Sequence, residues 1–195
     1  MYAEKSASQI TIYIVGPSST GKSTLCGALA KRLGISGKAY VTEVARSVMT
    51  AQGYTRNDIG KIEMQRAIMD AQIVKEEEGS GSPIQLCDRS AIDPIVYSIL
   101  TAQDSSEAEN RRMSLVTNPS FQRTLGRYRH SIFILLSPNP LWLKDDGIRS
   151  LEKQEECYLA FKEVLRDFGL GFREIGRDMP MLAERVSLVM GLARL

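Results

Sequence analysis

The chain has 195 residues, of which 43% are hydrophobic and 25% charged, with a formal net charge of +2 at pH 7. That length suits a single domain by the usual span of about 100 to 200 residues per domain, so residues 1–195 are expected to form one folded unit with a sizeable core. The near-neutral balance provides no broad field for drawing in nucleic acid, so stable nucleic-acid binding is not expected and any basic contact must be local.

No apolar run approaches the roughly 18 residues of a membrane span, and the opening MYAEKSASQITIYIVG lacks the apolar core of a signal peptide, so a cytoplasmic protein is the expectation. Cys26, Cys87 and Cys157 are far apart and lack paired metal spacing. They read as reduced, partly buried small hydrophobes.

Along the chain, apolar stretches of strand length alternate with segments of helical period. This is the pattern of stacked βαβ units and a mostly parallel sheet. Residues 10–15, ITIYIV, are β-branched and aromatic and predict a buried first strand, followed by a helix from Lys22 to Leu33 that stops near Gly34. A second strand is expected at about Ala39 to Thr42. From Thr55 to about Glu78 a capping-box pattern, Thr55-x-x-Asp58, leads into a long amphipathic helix. Its acidic end, Glu76 to Glu78, reads as solvated. The next strand is Ile84 to Asp88, followed by two or three helices reaching about Arg129. The polar stretch 101–112 reads as an exposed helix or surface loop, making 101–129 a candidate mobile insertion. Ser131 to Leu136 predicts the clearest late strand, and a proline-containing connection opens a lid segment at about 138–150. A helix with one apolar stripe from Leu151 to Phe168, a short strand at Phe172 to Ile175 and a closing helix complete the chain. The lone His130 reads as structural.

The strongest chemical signal is Gly16-Pro17-Ser18-Ser19-Thr20-Gly21-Lys22-Ser23-Thr24, which contains G-x-x-x-x-G-K-[ST] between a predicted strand and a predicted helix. Glycines at both ends let backbone N–H groups turn inward, and the helix N-terminus adds its positive dipole, so phosphate oxygens meet oriented donors. Lys22 would reach the β- and γ-phosphates, and Ser23 would ligate Mg²⁺, a hard cation that prefers oxygen.

Three further groups fall at predicted strand ends on the edge of the sheet where open α/β folds collect ligands. Asp88 ends a strand and either holds Mg²⁺ or takes a proton from an attacking hydroxyl, or else caps the following helix; Arg89 beside it would clamp a phosphate. Glu43 and Arg46, three apart at a helix start, form either an exposed ion pair or a substrate-facing pair. After the late strand, Trp142 would stack on a base, Asp145 and Asp146 would bind sugar hydroxyls or Mg²⁺, and Arg149 would close on the transferring phosphoryl group; the bland alternative is an exposed Asp-Asp-Gly turn.

TEVAR at 42–46, LCDRSAIDPIVYS at 86–98 and KDDGIRS at 144–150, with the phosphate loop, resemble the NadR-like AAA domain family of P-loop proteins over roughly Ile10 to Ala193. The resemblance implies a kinase-like three-layer α/β/α sandwich with a five-stranded parallel sheet. It also implies triphosphate binding by Gly16 to Thr24, an Asp-Arg pair at 88 and 89, a Glu-x-x-Arg element near the acceptor at 43 and 46, and an Asp-Asp-Gly-x-Arg lid element at 145–149. This length has no room for the nucleotidyltransferase domain that accompanies the kinase in some relatives.

The leading expectation is a Mg²⁺-dependent kinase moving the γ-phosphoryl group of ATP or GTP to a hydroxyl of a small, nucleoside-like acceptor. Lys22, Asp88, Glu43 and Arg149 are its candidate catalytic residues, with the base open between Asp88 and Glu43. Arg46, Arg89, Trp142, Asp145 and Asp146 are candidates for substrate binding. The alternative is a nucleotide-dependent switch or scaffold acting on a protein or membrane partner, although no guanine-reading tetrapeptide follows the late strand. Phosphorylation of a nucleic-acid end is a third reading, disfavoured by the charge balance.

Overall fold

Parallel strands cannot be joined by tight turns and need long crossovers, which the helical segments between the strand-length runs provide. The computed structural model of the chain describes residues 9–140 and 151–195. Its elements are β1 (Ile10–Val15), α1 (Lys22–Leu33), β2 (Tyr40–Val41), α2 (Ala45–Gln52), α3 (Ile62–Glu78), β3 (Ile84–Asp88), α4 (Ile92–Leu100), α5 (Ser105–Val116) and α6 (Pro119–Tyr128), then β4 (Ile132–Leu136), α7 (Leu151–Asp167), β5 (Phe172–Ile175) and α8 (Leu182–Ala193). The sheet has five strands in the order β2-β3-β1-β4-β5, every pairing parallel.

Alternation along β1 divides the core between the two faces of the sheet. Ile12 and Ile14 join Leu25, Cys26 and Leu29 of α1 and Val189 of α8. Tyr13 and Val15 face the other way, into a larger cluster with Met69 of α3, Ile95 of α4, Phe121 of α6 and Phe161 of α7. Both faces are therefore covered, as a wholly parallel sheet requires, and each fully buried aliphatic side chain contributes about 1.5–3 kcal/mol. The result is the expected α/β/α sandwich. All three cysteines are free and buried.

Three details differ from the sequence reading. The capping box at Thr55 and Asp58 exists, but it closes a single 3₁₀ turn at Arg56–Asp58; the long helix starts only at Ile62, after Gly60 interrupts the pattern. The polar stretch after Thr101 folds into an exposed helix, α5, one of the two forms expected, but the rest of the candidate insertion is not peripheral, since Leu115, Phe121, Leu125 and Tyr128 enter the core. Glu76 is 1% exposed and belongs to the interior, whereas Glu77 and Glu78 are exposed as expected. Among the described residues no helix is long and apolar enough to cross a membrane.

Candidate active site

The loop between β1 and α1 is shaped by two glycines. Gly16 has φ +131°, and a Cβ there would lie 2.6 Å from the carbonyl oxygen of Leu136 on neighbouring β4, so no other residue fits without moving that strand. Gly21, at φ +85°, turns the chain into α1. Between them the Thr20 hydroxyl donates to the carbonyl of Pro17 at 2.9 Å, closing the loop on itself. The Lys22 ammonium donates to the carbonyl oxygens of Gly16, at 2.8 Å, and Pro17. Burial, reinforced by the Arg89 guanidinium, lowers its pKa to about 7, while Asp93 and Asp88 pull the other way. Ser23 and Thr24 are exposed at the start of α1.

Register fixes what stands beside this loop. Ile14 of β1 pairs with Asp88 of β3, so the end of β3 lies level with the entry to the loop. Asp88 is 3% exposed, and among the described residues its Oδ1 has no hydrogen-bond partner. A buried carboxylate oxygen left unpaired is costly unless something else meets it. Asp88 and the exposed Ser23 hydroxyl both offer oxygen, the donor type that Mg²⁺ prefers.

Arg89 follows at φ +83°, a left-handed conformation that a residue with a side chain adopts only under constraint. The constraints are visible. Its N–H donates to Ile14 O at 3.0 Å. Its Nε donates to Glu43 Oε1 at 3.0 Å, and a terminal nitrogen donates to Asp93 Oδ1 at 3.1 Å. The other Asp93 oxygen accepts from the N–H and hydroxyl of Ser90, at 2.9 and 3.2 Å, which completes the turn into α4. Burial raises the Asp93 pKa, against the pull of Arg89 and Lys22. Of the cluster, Glu43 is the most open, with 31% of its side chain exposed against 15% for Arg89 and 5% for Asp93.

Several sequence-based expectations change here. Glu43 and Arg46 were read as a pair at a helix start, but α2 begins at Ala45, Arg46 points outward as an exposed side chain, and the partner of Glu43 is Arg89. Trp142, Asp145, Asp146 and Arg149 lie outside the described residues. Asp93, Tyr97 and Gln154 are absent from the sequence-based site, and Cys157 enters it only as a buried small hydrophobe. Tyr97 lies against both Arg89 and Cys157, and burial raises its pKa. Cys157, whose thiol is pushed up to about 12 by burial, also faces Lys22 and Asp93, so α7 borders the site. Gln154 is one turn earlier on α7 and 4% exposed, and among the described residues both polar atoms of its amide lack hydrogen-bond partners. Asp93 and Tyr97 follow Arg89 at helical spacing along α4, whereas no local spacing signals Gln154 or Cys157, which only the packing of α7 on α4 brings in.

The five-stranded parallel sheet, the glycine-bounded loop and the Asp-Arg turn beside it define a P-loop protein with the fold of the nucleoside and nucleotide kinases. The sequence profile of the family described as AAA domain matches residues 11–180, and the chain belongs to that family. No curated protein matches it. Among solved structures, NadR protein in complex with NAD and AMP-PNP superposes with a TM-score of 0.73 at 20% identity, over 96% of this chain and 50% of that one. The chain thus spans about half the length of that NadR chain. Deoxyadenosine kinase from M. mycoides, with dCMP and dCDP bound, gives a TM-score of 0.66 at 16% identity, covering 95% of this chain and 99% of that one. Thymidylate kinase from Ehrlichia chaffeensis gives 0.54 at 15% identity, over 94% and 98%.

Proposed function

We propose that the protein is a Mg²⁺-dependent kinase that moves the γ-phosphoryl group of ATP or GTP to a hydroxyl of a small, nucleoside-like acceptor. The observation that carries this reading is the half-open carboxylate of Glu43, held by Arg89, on the same sheet edge as the phosphate loop. Phosphoryl transfer needs little covalent help from the protein and much positioning, so an oriented base facing a phosphate cradle is the arrangement the reaction demands. The kinases among the similar structures support the same reading.

In this reading the loop N–H groups from Gly16 to Thr24 hold the phosphates, and Lys22 turns from its carbonyl partners to the β- and γ-phosphates. Ser23 and Asp88 would hold Mg²⁺, which when bound neutralises charge on the phosphate oxygens. Glu43 accepts the proton of the attacking hydroxyl. Arg89 holds that carboxylate in place through the bond from its Nε. Asp93 orients Arg89 from behind. Arg149, with Trp142, Asp145 and Asp146, is proposed to close over the donor and acceptor, and Arg46 to meet the acceptor from the rim.

The test is product formation from MgATP and MgGTP over a panel of ribosides and deoxyribosides, followed as nucleoside diphosphate release and as phosphorylated acceptor. The reading expects release that depends on one class of acceptor and falls sharply in Glu43→Gln. Triphosphate binding with no acceptor-dependent release across the panel would sink it.

A further inference from the structure

The Glu76 side chain is buried at the end of α3, far from where an acidic helix end is expected to point. Its Oε1 accepts from Gln72 Nε2 and from the Tyr128 hydroxyl, each at 3.0 Å, and its Oε2 accepts from the Tyr13 hydroxyl at 3.1 Å. Two of these donors reach onward to the same turn. Gln72 Nε2 also donates to the carbonyl of Arg89 at 3.3 Å, and the Tyr128 phenol oxygen accepts the N–H of Ala91 at 2.8 Å. The backbone on either side of Ser90 is therefore tied through one intermediary each to one carboxylate.

The intermediaries have little freedom. Tyr128 stands edge-on to Tyr13, with ring centres 4.7 Å apart, and edge-on to Phe133 at 5.2 Å, while Tyr13 stacks on Phe133. The backbone carbonyl of Glu76 is itself held by Gln85 Nε2 at 2.8 Å. What this framework restrains is the left-handed backbone of Arg89, a conformation that persists only where its surroundings over-determine it.

We infer that Glu76 is a positioning residue for the proposed kinase site, holding the Arg89 turn so that the guanidinium spans Glu43 and Asp93. The inference rests on that reading for its consequence in catalysis, but its geometry does not depend on any acceptor. As a carboxylate, Glu76 accepts from all three donors at once, and Tyr128 directs its proton inward, leaving its oxygen to Ala91. As an acid one of its oxygens must donate, so the bond at that oxygen is lost or reversed, and the bonds on the other oxygen lose their charge assistance and weaken. Burial raises its pKa to about 7, against the hydrogen bonds from Gln72, Tyr128 and Tyr13 and the attraction of Arg127. The groups that face it are Tyr13 from β1, Cys87 from β3, and Tyr128 and Arg127 from α6. The hold on Arg89 thus tightens as pH rises through neutrality.

The experiment follows the Nε proton of Arg89 by ¹⁵N–¹H NMR in the full chain from pH 5.5 to 8.5, with the signal assigned by its loss in Arg89→Lys. Protection against solvent exchange is taken relative to free arginine at the same pH. The expected result is protection about tenfold higher above pH 7.5 than below pH 6, the effect of one charge-assisted hydrogen bond gained or lost. Glu76→Gln should show the low value at every pH. Tyr128→Phe, which keeps the ring packing, should show an intermediate value with the pH dependence retained, and it carries the test if Glu76→Gln does not fold. Protection in Glu76→Gln that matches the unsubstituted chain across the range, or in Tyr128→Phe that is undiminished, overturns the inference. Because no acceptor is present, failure of the kinase reading leaves this result intact. If acceptor-dependent turnover is found, its kcat follows the same pH profile and flattens in Glu76→Gln.

Discussion

The guanidinium of Arg89 donates to the carboxylate of Glu43 at 3.0 Å across 46 residues of sequence, joining the end of β3 to the segment that enters α2. Arg89 alone supplies both this bond and the one to Asp93, and lysine has no forked donor to span two carboxylates. Arg89→Lys is therefore expected to lower kcat/KM for the acceptor by about 10- to 100-fold, the value of one charge-assisted hydrogen bond of about 1.5–3 kcal/mol. Triphosphate affinity measured by calorimetry should stay within a few-fold. An equal loss in both would mean that Arg89 serves the donor instead.

Lys22 is buried, and its ammonium donates to two loop carbonyls, those of Gly16 and Pro17. Removing that charge with an apolar chain of similar length relieves a desolvation cost while deleting the phosphate contact. Lys22→Met should keep a melting temperature at or above that of the unsubstituted chain and lose triphosphate affinity by about 100-fold or more, a loss of roughly 3 kcal/mol. Unchanged affinity would break the account at its first step.

Glu76 also links stability to pH. Its carboxyl moves from an ordinary value of 4.5 to about 7 on folding, so between those values the folded chain holds a proton that the unfolded chain has released. Its stabilising contribution is whole below pH 4.5 and is lost as pH rises through 7, a change of about 3 kcal/mol. Urea unfolding at pH 5 and pH 8 should show the stability of the unsubstituted chain falling relative to Glu76→Gln by an amount of that order. Parallel changes in the two proteins would contradict it.

Gln154 presents a buried amide whose nitrogen and oxygen find no partner among the described residues. Such a group costs about 1–3 kcal/mol, which an apolar side chain of similar volume avoids. Gln154→Leu should raise the melting temperature, and a fall would show that the amide is paired in solution.

Much of this was readable before any fold was known, for reasons that differ along the chain. The residues from Ile10 to Val15 and the loop that follows declare themselves because strand period, glycines and lysine are all local signals, and Asp88 does so because it ends an apolar run. Glu43 was legible as a site residue but not its partner, since helical spacing pointed to Arg46 while sheet order brought Arg89. Glu76 was misread because its neighbours Glu77 and Glu78 obey the rule for a solvated end. What buries Glu76 is the tyrosines at 13 and 128, on other elements. Cys157 and Gln154 carry no pattern and become neighbours of the site only when α7 packs on α4, whereas Tyr97 stands at helical spacing from Arg89 and Asp93.

The central claim is that the loop at Gly16 is the donor half of a kinase site whose acceptor half is governed by Glu43. Nucleoside diphosphate release from MgATP or MgGTP, measured with and without ribosides and deoxyribosides for the unsubstituted chain and Glu43→Gln, tests it most directly. The account predicts acceptor-stimulated release, falling by about 100-fold or more in the variant through loss of general-base catalysis while triphosphate binding is kept. Release that no acceptor stimulates, or stimulated release that Glu43→Gln leaves unchanged, would contradict it.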